Sequence, residues 1–201
     1  ITVSNGGKHV IFNALVATLN KDDEVIIPAP YWVSYPDMVL FAGGKPIILN
    51  TTINKGFKVS PNQIESLITD KTKWIILNSP SNPTGSTYSK DELIAIGEVI
   101  KKYPNIWVMS DDIYEHLVYD EFKYHTFAEV VPELYDRTLT VNGCSKAFAM
   151  TGWRIGFAGG SSLLIKAMEK LQSQSTTNPS SISQAAAVEA LNGDKSFLAK
   201  R

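Results

Sequence analysis

Short apolar runs rich in Val and Ile recur along the chain, separated by longer segments in which apolar residues are spaced as on one face of a helix. Runs that are apolar at consecutive positions are typical of strands covered by helices on both faces. They predict six strands: Glu24 to Pro28, Lys45 to Leu49, Trp74 to Asn78, Ile106 to Ser110, Thr138 to Asn142 and Ile155 to Ala158. Alternation of this kind predicts a three-layer α/β/α fold around a mostly parallel sheet.

Several helix starts are readable between these strands. Ser60-Pro61 followed by Gln63, and Ser89 followed by Glu92, are capping-box patterns. Another helix is expected to open at Gly6-Gly7-Lys8 and to continue to Asn20. Neither an internal repeat nor a flexible linker divides the chain, so we expect residues 1–201 to form one domain.

Composition narrows the classes of function. The 201 residues are 44% hydrophobic with a formal net charge of -1, which argues against a nucleic-acid binder, and no apolar run has the length of a membrane span. The single cysteine, Cys144, cannot form an internal disulfide, so a reducing cytoplasm is expected. The chain starts at Ile1 without Met and ends just after the start of another predicted helix near Asp194, so we expect a fragment of a longer protein.

Polar clusters follow three of the predicted strands, at 78–85, 110–114 and 142–146. Ligands of parallel sheets bind beyond the carboxyl ends of the strands, so we expect these clusters to meet at one edge. Lys146 is followed by a largely apolar run that we expect to desolvate its amine, as a lysine that forms a Schiff base requires. Arg154, beside Gly156, offers a planar fork suited to a phosphate. Taken alone, either residue is more often a solvated surface charge.

The acidic pair Asp111-Asp112 follows another strand, and no His or Cys nearby completes a metal set. Adjacent side chains rarely point the same way, so we expect one carboxylate to face the site and the other to face away. A buried carboxylate there can keep a pyridinium nitrogen protonated, and Tyr114 can donate a hydrogen bond into the same site. Taken alone, a tyrosine such as Tyr114 is more often a packing aromatic.

Three further segments complete the candidate site. The loop around Asn82 is stiffened by flanking prolines, which suits an amide that must be aimed. Gly6, Gly7 and Lys8 lie where the N–H groups at a helix start bind anions, although this signal is weak and is not a P-loop. Trp32 follows a strand and is either core or a flat cover for a flat ligand.

In order along the chain, these segments resemble the class I aminotransferases of the aspartate aminotransferase family. The sequence around Trp32 and from Met150 to Arg154 is similar to the bacterial branch of that family that acts on aspartate and, in some members, on prephenate. The resemblance implies pyridoxal 5'-phosphate as cofactor, amino acids and 2-oxo acids as substrates, and a homodimer. It implies that Lys146 forms the internal aldimine and moves the substrate proton, while Asp111, not Asp112, pairs with the pyridinium nitrogen.

The same resemblance implies roles for the other residues. Asn82 and Tyr114 match the donors to the phenolic oxygen of the cofactor, Trp32 matches the ring stacked on the pyridine, and Trp32 and Asn82 also contact substrate. A phosphate cup is implied at Gly6, Gly7, Lys8, Ser145 and Arg154.

Two departures from the family pattern stand out. Gly143 replaces a serine three residues before the lysine that is common in relatives, and Asp112 stands where glutamate is commoner, which we expect to matter little. The resemblance also implies that residues 1–201 are the cofactor-binding large domain. The small domain, the arginine that binds the substrate carboxylate and a tyrosine donated across the dimer then lie elsewhere. We therefore expect the chain by itself to be a weak catalyst.

Two alternatives stay open. Other enzymes of the same fold, such as a lyase or an aromatic aminotransferase, share the site. A transcription regulator that binds the cofactor as a sensor without turnover is also compatible with these segments.

Overall fold

Seven strands form one mixed sheet in the computed structural model, which describes residues 1–200. The strands are β1 Thr2–Ser4, β2 Glu24–Ala29, β3 Lys45–Asn50, β4 Thr72–Asn78, β5 Trp107–Asp111, β6 Thr138–Gly143 and β7 Gly156–Gly159. Their order across the sheet is β1-β7-β6-β5-β4-β2-β3. The six predicted strands are confirmed, with shifts of one or two residues at their ends.

The centre of the sheet is parallel and one side is antiparallel. Strands β3, β2, β4, β5 and β6 run in the same direction, whereas β7 is antiparallel to β6 and β1 is antiparallel to β7. The connection from β6 to β7 is therefore a return loop, residues 144–155. Both ends of this loop lie at the edge where the parallel strands finish.

Helices cover both faces of the sheet, which confirms the three layers. One layer contains α1 Gly7–Thr18, α2 Ser34–Phe41 and α6 Ser162–Ser173, and the other contains α3 Pro61–Leu67, α4 Lys90–Ile100 and α5 Phe127–Val130. In β4, Trp74 and Ile76 pack into the first layer and Ile75 and Leu77 into the second, which explains why the strand is apolar at consecutive positions.

Helix boundaries largely follow the sequence signals. Both capping boxes are formed, from Ser60 to Gln63 and from Ser89 to Glu92. The helix expected to continue to Asn20 ends at Thr18, and the segment after Asp194 is a short 3-10 helix, Ser196–Lys200. Helix α7, Ser181–Asn192, packs against the return loop. Within residues 1–200, no helix combines the length and the apolar character needed to cross a membrane.

Strand β1 was missed because three residues carry too short a pattern to predict. Its pairing partner is β7, which lies about 150 residues further along the chain, with Ser4 opposite Gly156. At this point the backbones approach so closely that a Cβ on Gly156 would lie 2.2 Å from the Gly7 nitrogen. The first turn of α1 therefore packs directly on the start of β7.

This contact predicts a position-specific cost in β7. Gly156→Ala is expected to lower the free energy of unfolding of the intact protein by roughly 1–3 kcal/mol, because the added methyl group must push two backbones apart. Gly159→Ala in the same strand is the matched control, since nothing lies within 4 Å of its Cβ position. Urea unfolding measures both, and equal losses would contradict the packing described here.

Candidate functional site

A cavity of about 210 Å³ lies where β4, β5 and β6 end. Every residue predicted for the site except Gly6 lines it: Gly7, Lys8, Trp32, Asn82, Asp111, Tyr114, Ser145, Lys146 and Arg154. The parallel strands bring these residues together because their carboxyl ends share one edge of the sheet.

One end of the cavity combines the start of a helix with a positively charged side chain. Helix α1 begins at Gly7, so its first N–H groups have no carbonyl partner in a preceding turn and carry the positive end of the helix dipole. Gly6, immediately before, has φ +92°, and a Cβ there would lie 2.2 Å from Arg154 Nη2. Only glycine both adopts this conformation easily and leaves room for the guanidinium.

Arg154 is held in place beside this turn. Its Nη1 donates to the Thr151 carbonyl at 2.7 Å, and its Nη2 lies 3.4 Å from the Asn5 carbonyl. Its backbone is left-handed, with φ +55°, at the end of the short 3-10 helix Thr151–Trp153. These contacts fix an exposed, positively charged fork next to the start of α1 and leave further N–H groups available to a ligand.

Asp111, at the end of β5, is the buried acid of the site. It is 5% exposed, and its Oδ2 accepts a hydrogen bond of 2.5 Å from the Tyr35 hydroxyl. Burial raises the pKa of the Asp111 carboxyl to about 6, while the hydrogen bond from Tyr35 and a weaker one from the Ile113 backbone act in the opposite direction. A cationic group placed beside the Asp111 carboxyl would therefore lower its pKa and favour its charged form.

Asp112 faces away from the cavity, as expected for the neighbour of a residue that faces it. It is 2% exposed and accepts hydrogen bonds from the hydroxyls of Ser110, Thr126 and Tyr124. Burial raises the pKa of the Asp112 carboxyl to about 7, against these hydrogen bonds. The expectation that aspartate in place of the commoner glutamate matters little at residue 112 stays a prediction. Removing the carboxylate altogether is costly, because it is buried and has several partners.

Lys146 occupies the return loop between β6 and β7, and its Nζ lies 5.5 Å from the centre of the Tyr114 ring. The expected desolvation of this amine is wrong for the described structure, since Lys146 is exposed. The apolar residues that follow it, Phe148 and Met150, pack with Ile155 and helix α7 instead of over the amine. Lys146 thus stands at the open mouth of the cavity.

The wall opposite is aromatic. Trp32 is half-buried and meets Tyr35 edge-to-face, with ring centres 5.3 Å apart, while Lys8 Nζ lies 5.0 Å from the centre of the Trp32 ring. At the next strand end, the Asn82 backbone N–H donates to Asn78 Oδ1 at 2.7 Å. The loop that carries Asn82 is therefore tied to β4.

Sequence reasoning did not assign Tyr35 or Asn78 to the site. Tyr35 donates to Asp111, and Asn78 Nδ2 donates to the Asp111 carbonyl at 2.8 Å. Tyr35 lies three residues after Trp32, a spacing that places two residues on one side of a helical turn, and this was the available signal. Asn78 opened a predicted polar cluster but carried no role of its own. Ile11, Ile113 and Thr151 also line the cavity.

The glycine at position 143 fits its surroundings closely. A Cβ there would lie 2.8 Å from the Ile155 carbonyl oxygen and 3.1 Å from Ile113 Cδ1. A serine at this position would require the Ile155 backbone, immediately before β7, to move. Gly143 thus allows the end of β6 to pack directly against the start of β7.

Comparison with known proteins agrees with the geometry. The family model for aminotransferase class I and II matches residues 1–201. The chain belongs to this family. It is 61% identical over 199 residues to an aspartate/prephenate aminotransferase of Cereibacter sphaeroides, covering 99% of this chain and 50% of that protein.

Solved structures of aminotransferases superpose on nearly the whole chain. The aspartate aminotransferase of Rhizobium meliloti superposes with a TM-score of 0.98 at 52% identity, covering 99% of this chain and 50% of that one. An aromatic aminotransferase of Pyrococcus horikoshii superposes with a TM-score of 0.93 at 38% identity, covering 98% of this chain and 52% of that one. The chain spans about half the length of the curated relatives it matches.

The hydrogen bond from Tyr35 predicts how the Asp111 carboxyl titrates. Tyr35→Phe removes a donor to the charged form, so the pKa of Asp111 is expected to rise above about 6, by roughly one unit or more. Carbon NMR of the cofactor-free intact protein measures this titration directly. Tyr103→Phe, which removes a hydroxyl from a partly buried side chain on the other face of the sheet, is the control.

Protein stability should follow with a defined sign. A carboxyl whose pKa is raised on folding contributes stability that is complete below its unfolded value and is lost as pH rises through the folded value. In Tyr35→Phe this loss should extend to higher pH than in the wild type. An unchanged or lowered Asp111 pKa would show that the Tyr35 hydroxyl does not stabilise the carboxylate.

Proposed function

We propose that the protein containing this chain is a pyridoxal-phosphate-dependent aminotransferase. It transfers an amino group between an amino acid, in the first place aspartate, and a 2-oxo acid, with glutamate and prephenate as further substrates. The observation that carries the proposal is the convergence of the Lys146 amine, the buried Asp111 and the Arg154 fork on one cavity, in a chain of this family.

The cavity has the features that the cofactor requires. The phosphate is a dianion, and the start of α1 with Arg154 supplies backbone N–H groups and a positive charge in a space that a Cβ at Gly6 would fill. Lys8 and Ser145 also line the cavity and would add donors. The donor set therefore suits a phosphate monoester.

The ring of the cofactor suits the remaining walls. Asp111 would accept a hydrogen bond from a protonated ring nitrogen, and the Tyr35 and Asn78 contacts hold Asp111 for that task. The half-buried Trp32 would cover the face of the ring, while Asn82 and Tyr114 would donate to its oxygen. When bound, the cofactor supplies an electron sink for negative charge at the substrate α-carbon.

Lys146 is the residue that would hold the cofactor covalently. Its Nζ reaches the cavity from the mouth, beside the Tyr114 ring, where an incoming amino acid would also enter. A free amine at this position would be placed to take the α-proton of the substrate and to return it. Because Lys146 is exposed in this chain, its amine is accessible both to the cofactor and to the substrate.

We infer that residues 1–201 form the large, cofactor-binding domain of that protein. Binding of the substrate carboxylate and exclusion of water would then rest on residues outside this chain, and positioning of this kind contributes several kcal/mol to catalysis. The chain alone should therefore be a weak catalyst. A homodimer and a cytoplasmic location remain predictions.

The aminotransferase assignment is preferred over a regulator because the similar proteins carry aminotransferase names. An aromatic aminotransferase remains the second candidate, since a structure with that title superposes over 98% of the chain. Comparing aspartate with phenylalanine as amino donor to 2-oxoglutarate, in the intact protein, separates the two.

The covalent attachment can be tested directly. Incubating the intact protein with pyridoxal phosphate, reducing with borohydride and mapping peptides by mass spectrometry is expected to label Lys146 alone. Lys146→Ala should abolish the label, while Lys166→Ala, a change in α6 away from the cavity, should leave it intact. A label on Lys8 or another lysine would refute the assignment of Lys146.

Turnover provides an independent test of Asp111. Asp111→Ala in the intact protein is expected to lower turnover by orders of magnitude, because the ring nitrogen loses the group that keeps it protonated. Asp136→Ala, at an exposed position, should leave turnover near that of the wild type. Steady-state kinetics with aspartate and 2-oxoglutarate measure both, and a mild effect at Asp111 would contradict its proposed role.

A further inference from the structure

The loop between β5 and α5 carries a site residue without any helix or strand of its own. Residues 112–126 contain only turns and irregular backbone, yet their first turn presents Tyr114 to the cavity. Because the loop lacks the regular backbone hydrogen bonds of a helix or a strand, other contacts must hold the Tyr114 side chain in a fixed position. Those contacts centre on Asp112, the first residue of the loop.

The carboxylate of Asp112 joins the two ends of the loop. Thr126 Oγ1, at the last residue, donates to Asp112 Oδ2 at 2.6 Å, and the Tyr124 hydroxyl also donates to this carboxylate. Ser110 Oγ, on β5, donates to Oδ1 at 2.6 Å. A carboxylate that is 2% exposed thus fastens both ends of the loop to the sheet.

The backbone of the same residue fixes the turn that bears Tyr114. The Asp112 N–H donates to the Val141 carbonyl of β6 at 2.9 Å, and the Asp112 carbonyl accepts from the Glu115 N–H at 2.9 Å. Glu115 Oε1 in turn accepts from Asn142 Nδ2 at 2.8 Å. The turn around Tyr114 is therefore connected both to β6 and to the far end of its own loop.

We propose that Asp112 is a positioning residue that closes the loop 112–126 and thereby holds Tyr114 at the cofactor cavity. It does not reach the cavity itself and acts through Tyr114. The proposal rests on the proposed function, because Tyr114 is taken as a donor to the cofactor. A purely structural carboxylate would stabilise the fold without affecting what Tyr114 does, and this difference is measurable.

The loop itself is tested first, without cofactor. In the intact cofactor-free protein, Thr126→Val removes one donor to Asp112 at nearly constant volume and is expected to speed amide hydrogen exchange in residues 113–126 by roughly two- to tenfold. Thr126→Ser keeps the hydroxyl and should restore slow exchange. Thr138→Val is the matched control, since Thr138 donates to the Leu134 carbonyl at the opposite end of β6.

Cofactor binding is tested next by a double-mutant cycle. Thr126→Val and Tyr114→Phe should each weaken pyridoxal phosphate binding, measured by quenching of tryptophan fluorescence, by roughly two- to tenfold. If Thr126 and Asp112 act through Tyr114, adding Thr126→Val to Tyr114→Phe should weaken binding no further. Thr138→Val should leave the affinity unchanged.

Each result decides the matter. Faster exchange in the loop together with non-additive affinities supports the proposal. Unchanged exchange in Thr126→Val, or effects on affinity that multiply fully in the double variant, would overturn it. Failure of the wild type to bind pyridoxal phosphate would instead overturn the proposed function, while the exchange data would still show whether Asp112 closes the loop.

Discussion

The contact between the first turn of α1 and the start of β7 is the constraint on which the site depends. Two backbones meet where neither Gly6 nor Gly156 has a side chain, and this close approach places Arg154 beside the unpaired N–H groups of α1. Because Arg154 also binds the Thr151 carbonyl, the return loop that carries Lys146 is fixed relative to the same turn. One packing contact thereby fixes the positions of Arg154, the start of α1 and the loop that carries Lys146.

The central strands supply the second requirement, a buried acid at a fixed distance from that turn. Parallel pairing of β4 with β5 places Asn78 opposite Asp111, so the amide of one holds the backbone of the other. Burial disfavours the charge on Asp111 and raises its pKa to about 6, whereas Tyr35 partly offsets that cost. The outcome is a carboxylate that gains from a cationic partner in the cavity.

Asp111 and Asp112 are adjacent and identical, but strand geometry gives their side chains different surroundings. Successive side chains at a strand end point to opposite sides, so one acid lines the cavity and the other enters a cluster of hydroxyls. The charge of Asp111 also contributes to the raised pKa of Asp112, which reaches about 7. The two carboxylates are thus electrostatically linked although their partners differ.

The sequence by itself determined the layers, six of the strands and nine of the residues that line the cavity, because apolar runs, capping boxes and the segment from Lys146 to Arg154 are local signals. Only the tertiary structure decided which other groups hold these strands and site residues in place. Strand β1 and the bond from Tyr35 to Asp111 join residues far apart in the chain, and the exposure of Lys146 depends on where Phe148 and Met150 pack. Such contacts arise from the three-dimensional meeting of segments, so no local pattern encodes them.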